Sequence, residues 1–83
     1  MKEKKLVGYQ SINEACKVAR ERALENRYYS TSVYIERDGS FTVSPDNTKN
    51  SKFYLLVDKS GARFKKQWKR TEFGKREIFV RIN

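Results

Sequence analysis

Thr31-Ser32-Val33-Tyr34-Ile35-Glu36-Arg37-Asp38-Gly39-Ser40-Phe41-Thr42-Val43-Ser44 contains two alternating segments on either side of an Asp-Gly turn signal. Alternation with period two puts successive side chains on opposite faces of a strand. Loop length then decides the register. A two-residue loop, Asp38-Gly39, would pair Ile35 with Thr42 and Val33 with Ser44, splitting the apolar set over both faces. A three-residue loop from Arg37 to Gly39, with Gly39 as the left-handed bulge residue, pairs Ile35 with Phe41 and Val33 with Val43. All four apolar side chains then share one face. A slip of one residue would expose half of them, so the longer loop is expected. The opposite face carries Ser32, Tyr34, Glu36, Ser40, Thr42 and Ser44 and is expected to meet water.

Upstream of this hairpin the period is 3.6. Ile12, Cys16, Ala19 and Ala23 fall on one helical stripe, flanked by Ala15 and Leu24, and Glu14, Lys17, Glu21, Arg22 and Glu25 lie opposite. Ser11-Ile12-Asn13-Glu14 has the spacing of a capping box, and Asn26 is a plausible stop. These signals predict a helix over about 12–27 whose small stripe residues let it lie close on a sheet. Arg20, Arg22 and Arg27 have acidic neighbours and read as surface. Before the helix, Leu6-Val7-Gly8-Tyr9 is either a short edge strand or part of an extended arm.

Downstream, residues 45–51 are all polar or turn-forming, which predicts a loop with the most flexible tip in the chain. Phe53-Tyr54-Leu55-Leu56-Val57 reads as a strand. A Ser60-Gly61 loop after it would pair Val57 with Phe64 and Phe53 with Trp68, and set Asp58 opposite Arg63. Residues 62–73 fit a strand or a helix; the strand is preferred because the Asp58–Gly61 turn makes a hairpin the shortest connection. After a Phe73-Gly74 turn, Glu77–Ile82 alternates as a closing strand. The expected fold is α+β: one N-terminal amphipathic helix on an antiparallel sheet of four strands, or five with the N-terminal segment. With 83 residues it is a single domain over 1–83. Phe41, Phe53, Phe64, Phe73, Phe79 and Trp68 are the large candidates for its core.

The net charge of +9 is unevenly placed. Residues 1–9 hold +2, residues 10–44 balance to zero, and residues 45–83 hold +7. Such clustering points to a polyanionic partner. The single cysteine, Cys16, rules out an internal disulfide and reads as a small buried hydrophobe. No apolar run is long enough for a membrane helix. The basic start leads into no apolar segment of a signal peptide, so the expected compartment is the cytoplasm.

Histidine is absent, and with it the commonest acid–base residue and every histidine-based metal site. No phosphate-binding glycine motif occurs. Carboxylates are few, and Asp38, Asp46, Asp58, Glu72 and Glu77 lie mostly in turns beside basic residues, so the chain is expected to act by binding rather than catalysis, with no cofactor.

The chemistry-bearing stretch is Arg63-Phe64-Lys65-Lys66-Gln67-Trp68-Lys69-Arg70-Thr71-Glu72-Phe73-Gly74-Lys75-Arg76, with seven basic residues and one acid. Lysine and arginine displace the counterions of phosphates, and that release drives binding to nucleic acid. The strand reading places Arg63, Lys65 and Lys69 in a stripe on the open sheet face, with Tyr54 and Leu56 beside them. A tyrosine next to a cationic row can stack an unpaired base. The candidate contact residues are therefore Arg63, Lys65, Lys66, Lys69, Arg70, Lys75, Arg76, Tyr54 and Tyr34. RNA or single-stranded DNA is the expected partner ahead of duplex. The competing expectation is a protein-interaction module that docks on an acidic protein surface or adds a partner strand at Ile78–Ile82. A helix followed by three strands is similar to the first part of double-stranded-RNA-binding folds. The basic C-terminal helix of those folds is not recognisable here, and no family is assigned.

Overall fold

Helix α1, Ile12–Glu25, buries Ala15, Cys16, Ala19 and Ala23, the small stripe expected from the sequence. The computed structural model describes residues 7–83; the lead-in at 1–6, including Leu6 of the proposed N-terminal strand, lies outside the described residues. Ser11 stands at the N-cap, but its side chain makes no capping hydrogen bond, so the anticipated capping box does not form. Glu14 still lies in the first turn, where the helix dipole favours a carboxylate. At the other end Asn26 is the C-cap, yet Arg27 adopts the left-handed conformation, with φ 57°. Tyr28 N–H then donates to the Ala23 carbonyl at 2.9 Å, closing the helix in a Schellman-like turn.

Five antiparallel strands follow: β1 (Ser30–Ile35), β2 (Phe41–Val43), β3 (Lys52–Asp58), β4 (Arg63–Thr71) and β5 (Gly74–Arg81), in the spatial order β2-β1-β3-β4-β5. The α+β class and the N-terminal helix are as expected. All five strands lie after the helix, and among the described residues the N-terminal segment adds a bridge from Tyr9 to Phe41. Gly8 makes that approach possible, since a Cβ there would lie 2.2 Å from the Phe41 carbonyl oxygen.

The β1–β2 register is the one the apolar pattern requires, with Val33 opposite Val43 and Ile35 opposite Phe41. Val33, Val43, Leu55 and Val57 form the sheet side of the core beneath the helix. Each such aliphatic burial contributes roughly 1.5–3 kcal/mol.

The polar face of this hairpin departs from expectation. Glu36, Ser40 and Thr42 are buried rather than wet. The Thr42 and Thr48 hydroxyls each donate to the Glu36 carboxylate at 2.5 Å, and Ser51 donates a further hydrogen bond. The 45–51 loop, expected to hang free, is thereby pinned without any apolar anchor. Arg22, read as surface, ties it from the other side. Its guanidinium donates to the carbonyls of Val43 (2.8 Å) and Ser44 (3.1 Å) and pairs with Asp46 at 2.5 Å.

The β3–β4 register also differs. Leu56 pairs with Phe64 and Val57 with Arg63. The turn holds three residues, Lys59 to Gly61, closed by Asp58 N–H donating to Ala62 O at 3.0 Å, with Gly61 at φ 93°. Asp58 does not face Arg63. It accepts hydrogen bonds within the turn from the Ser60 hydroxyl and from the backbone N–H groups of Ser60 and Ala62. The extra loop residue moves every β4 side chain to the opposite face from that predicted.

The helix lies over β1, β2 and β3 only. Strand β3 pairs with β4 at just those two positions, whereas β4 and β5 pair from Phe64–Arg81 to Thr71–Gly74. The outer part of β4–β5 is therefore a two-stranded ribbon projecting beyond the sheet. The radius of gyration, 14.3 Å, exceeds the about 12 Å of a spherical domain this size.

Candidate functional site

The cationic residues singled out from the sequence all lie on this ribbon or at its base. Cross-strand partners share a face, so the ladder sorts them. One face carries Phe64, Lys66, Trp68 and Arg70 from β4, with Lys75, Glu77, Phe79 and Arg81 from β5. The other carries Lys65, Gln67 and Lys69, with Arg76, Ile78 and Val80. Arg63, at the base on the helix side, donates to Asn13 Oδ1 at 3.1 Å.

The expected stripe of Arg63, Lys65 and Lys69 does share a face, but it is the helix side of the sheet and not the open side. Tyr54 and Leu56 do not flank it together. The β1–β3 ladder shifts register between Val33 and Tyr34, leaving Tyr54 as an extra residue between Phe53 and Leu55. This bulge turns Tyr54 toward the core, where its ring packs 5.2 Å from Phe41. Tyr34 stands on the open face but meets Phe53 edge-on at 6.1 Å, and Phe53 meets Phe79 at 6.2 Å. Both tyrosines are half-buried packing residues rather than exposed stacking platforms.

Two lysines act as braces where β3 and β4 separate. Lys65 Nζ sits 4.6 Å from the centre of the Tyr54 ring, and Lys66 Nζ sits 4.2 Å from that of Phe53. Lys66 also pairs with Glu77 at 3.4 Å. Cation–π contacts of this kind contribute about 0.5–1 kcal/mol at exposed positions.

The outer end has a different character. Lys69 faces Arg76, and Arg70 faces Lys75. Like charges directly opposite one another destabilise a strand pair. Among the described residues none of these four has an acidic partner. The turn beyond them, Glu72-Phe73, leaves the Phe73 ring 98% exposed, and Trp68 is 69% exposed. Both aromatics were expected in the core; instead they stand on a ribbon the helix does not cover. Sequence reasoning therefore missed Phe73 and Trp68 as surface features. The signal was available for Phe73, because an aromatic at a turn between two charged strands has nothing to pack against.

Cys16 is buried in the core cluster, and burial pushes its thiol up despite the nearby Arg63 guanidinium, so the thiolate is disfavoured. Among the described residues no helix is long and apolar enough to cross a membrane.

Fold and site together define a small α+β domain that carries a cationic, aromatic-tipped β-ribbon. Comparison with protein-family models, curated proteins and solved structures returns no match, so the functional reading rests on the geometry.

Proposed function

We propose that this protein is a non-catalytic nucleic-acid-binding module that works through the β4–β5 ribbon. The observation carrying this reading is the pair of like-charge rungs, Lys69–Arg76 and Arg70–Lys75, next to each other at the end of an uncovered ribbon. In the free protein they repel, and repulsion without compensation is a poor choice for stability alone. A polyphosphate supplies the missing counter-charge, and displacement of its condensed cations drives association. The test is a titration of labelled oligonucleotides at several salt concentrations. A log–log slope of about −3 to −4 is expected for four phosphate contacts. Replacing Lys69, Arg70, Lys75 and Arg76 together by Ala should remove binding while the circular dichroism spectrum is retained. Undiminished affinity in that variant defeats the reading.

A second reading has its own support. β5 is a sheet edge, and Ile78, Val80 and Ile82 lie along it, so a partner strand from an acidic protein could pair there. It predicts no retention on nucleic acid at physiological salt and one specific protein partner.

A further inference from the structure

The ribbon carries cations on both of its faces, and neither face of its outer part is covered by the helix. Arg70 and Lys75 point one way; Lys69 and Arg76 point the other. A single strand, or a flat acidic surface, laid against one face would leave the opposite rung unneutralised. Phosphates on both sides at once occur in the groove of a duplex, whose two walls are its two backbones.

Dimensions select the groove. A β-layer with its side chains is about 10 Å thick. The major groove of B-form DNA is about 12 Å wide and 8.5 Å deep, whereas its minor groove is about 6 Å wide. The major groove of A-form RNA is too deep and narrow for side chains to read. Along the ribbon, the Lys69–Arg76 and Arg70–Lys75 rungs lie two and one residues behind the terminal Thr71–Gly74 pair. At a rise of about 3.4 Å per residue, they sit near the groove rim when the turn touches the floor. The turn places Phe73 there, fully exposed and able to meet a thymine methyl group. Glu72 beside it is repelled by phosphate, but as an acceptor it suits the amino group of cytosine.

We infer that the β4–β5 ribbon enters the major groove of B-form DNA tip first. Phe73 meets the base edges, and Lys69, Arg70, Lys75 and Arg76 hold phosphates on both walls. This rests on the nucleic-acid reading above and reverses the preference for single strands drawn from the sequence.

The test compares one sequence as duplex DNA, single-stranded DNA and duplex RNA, using the full chain. Duplex DNA should bind at least about tenfold more tightly than either alternative. Phe73→Ala should weaken duplex binding by about fivefold or more with an unchanged salt slope, since it removes apolar contact and no charge. Dimethyl sulfate probing should show guanine N7, a major-groove atom, protected. Equal or tighter binding of single strands, full affinity in Phe73→Ala, or unprotected N7 would each overturn the groove assignment while leaving nucleic-acid binding intact. Failure to bind any of the three nucleic acids overturns both readings.

Discussion

The ammonium of Lys66 sits 4.2 Å from the centre of the Phe53 ring, on the open face of the sheet where β4 has begun to separate from β3. This contact makes Lys66 a brace between the sheet and the ribbon. Lys66→Ala should destabilise the domain by about 0.5–1 kcal/mol, through the lost ring contact and the lost pairing with Glu77. The same variant should weaken nucleic-acid binding less than Lys69→Ala does. Denaturant unfolding and oligonucleotide titration of the two variants check this, and the reverse order would show that Lys66 belongs to the contact surface.

Arg76 opposes Lys69, so reversing its charge should have opposite effects on stability and binding. Arg76→Glu replaces a repulsive rung with an attractive one, each worth a few tenths to about 1 kcal/mol. Amide hydrogen exchange in the outer β4–β5 ladder should slow by about two- to fivefold. Binding should weaken at the same time, because a phosphate contact is lost and a repulsive charge takes its place. Faster exchange together with weaker binding would mean that this rung is needed to hold the ribbon together.

Glu36 makes stability depend on pH on the acid side. Burial pushes its carboxyl up, but hydrogen bonds from the Ser51, Thr42 and Thr48 hydroxyls outweigh it and hold the pKa below the ordinary value. A depressed folded-state pKa contributes stability that is complete above the unfolded value, about 4.3, and is lost as the pH falls through the lower folded value. Glu36→Gln should therefore be less stable than wild type at pH 7, by about 1–3 kcal/mol, with the gap closing toward pH 3. Urea unfolding at the two pH values provides the measurement; a gap of constant size would show that the hydroxyls favour the carboxylate no more than the protonated carboxyl.

Gly61 holds the three-residue loop that sets the β4 register. Its φ of 93° is one that L side chains rarely adopt, although a Cβ there would meet only the Arg20 side chain, with Cδ at 3.5 Å and Nε at 3.8 Å. Gly61→Ala should cost about 1–2 kcal/mol from backbone strain. Thermal unfolding beside Gly39→Ala is the natural comparison, because Gly39 ends the other three-residue loop with a φ of 88°. A neutral effect at Gly61 would show that the loop relaxes to another turn.

The sequence is legible where polar and apolar residues alternate and illegible where they do not. Val33, Ile35, Phe41 and Val43 alternate with polar residues, so one register alone buries them. Phe53-Tyr54-Leu55-Leu56-Val57 is apolar at every position and carries no phase. Neither the bulge at Tyr54 nor the length of the Lys59–Gly61 loop could be read from it, and the faces of Arg63, Lys65 and Lys69 were inverted as a result. The general tendency of aromatics to be buried points Trp68 and Phe73 to the core. What overrode that tendency is length. A helix of 14 residues spans about 21 Å and covers only three strands, while β4 and β5 run on past it. The gathering of basic residues in one region was legible, because seven of them lie within 63–76 and a hairpin necessarily brings its two arms together.

The separation between core and ribbon bears on how this chain can diversify. No side chain from Lys69 to Arg76 is buried, so packing places no demand on their identity. Gly74, with a φ of 114°, and Thr71, whose hydroxyl donates to the Gly74 carbonyl, hold the turn itself. The other six positions are free to change the surface the tip presents while the helix and inner strands keep their arrangement, so the domain is in this sense a fixed handle with an interchangeable end.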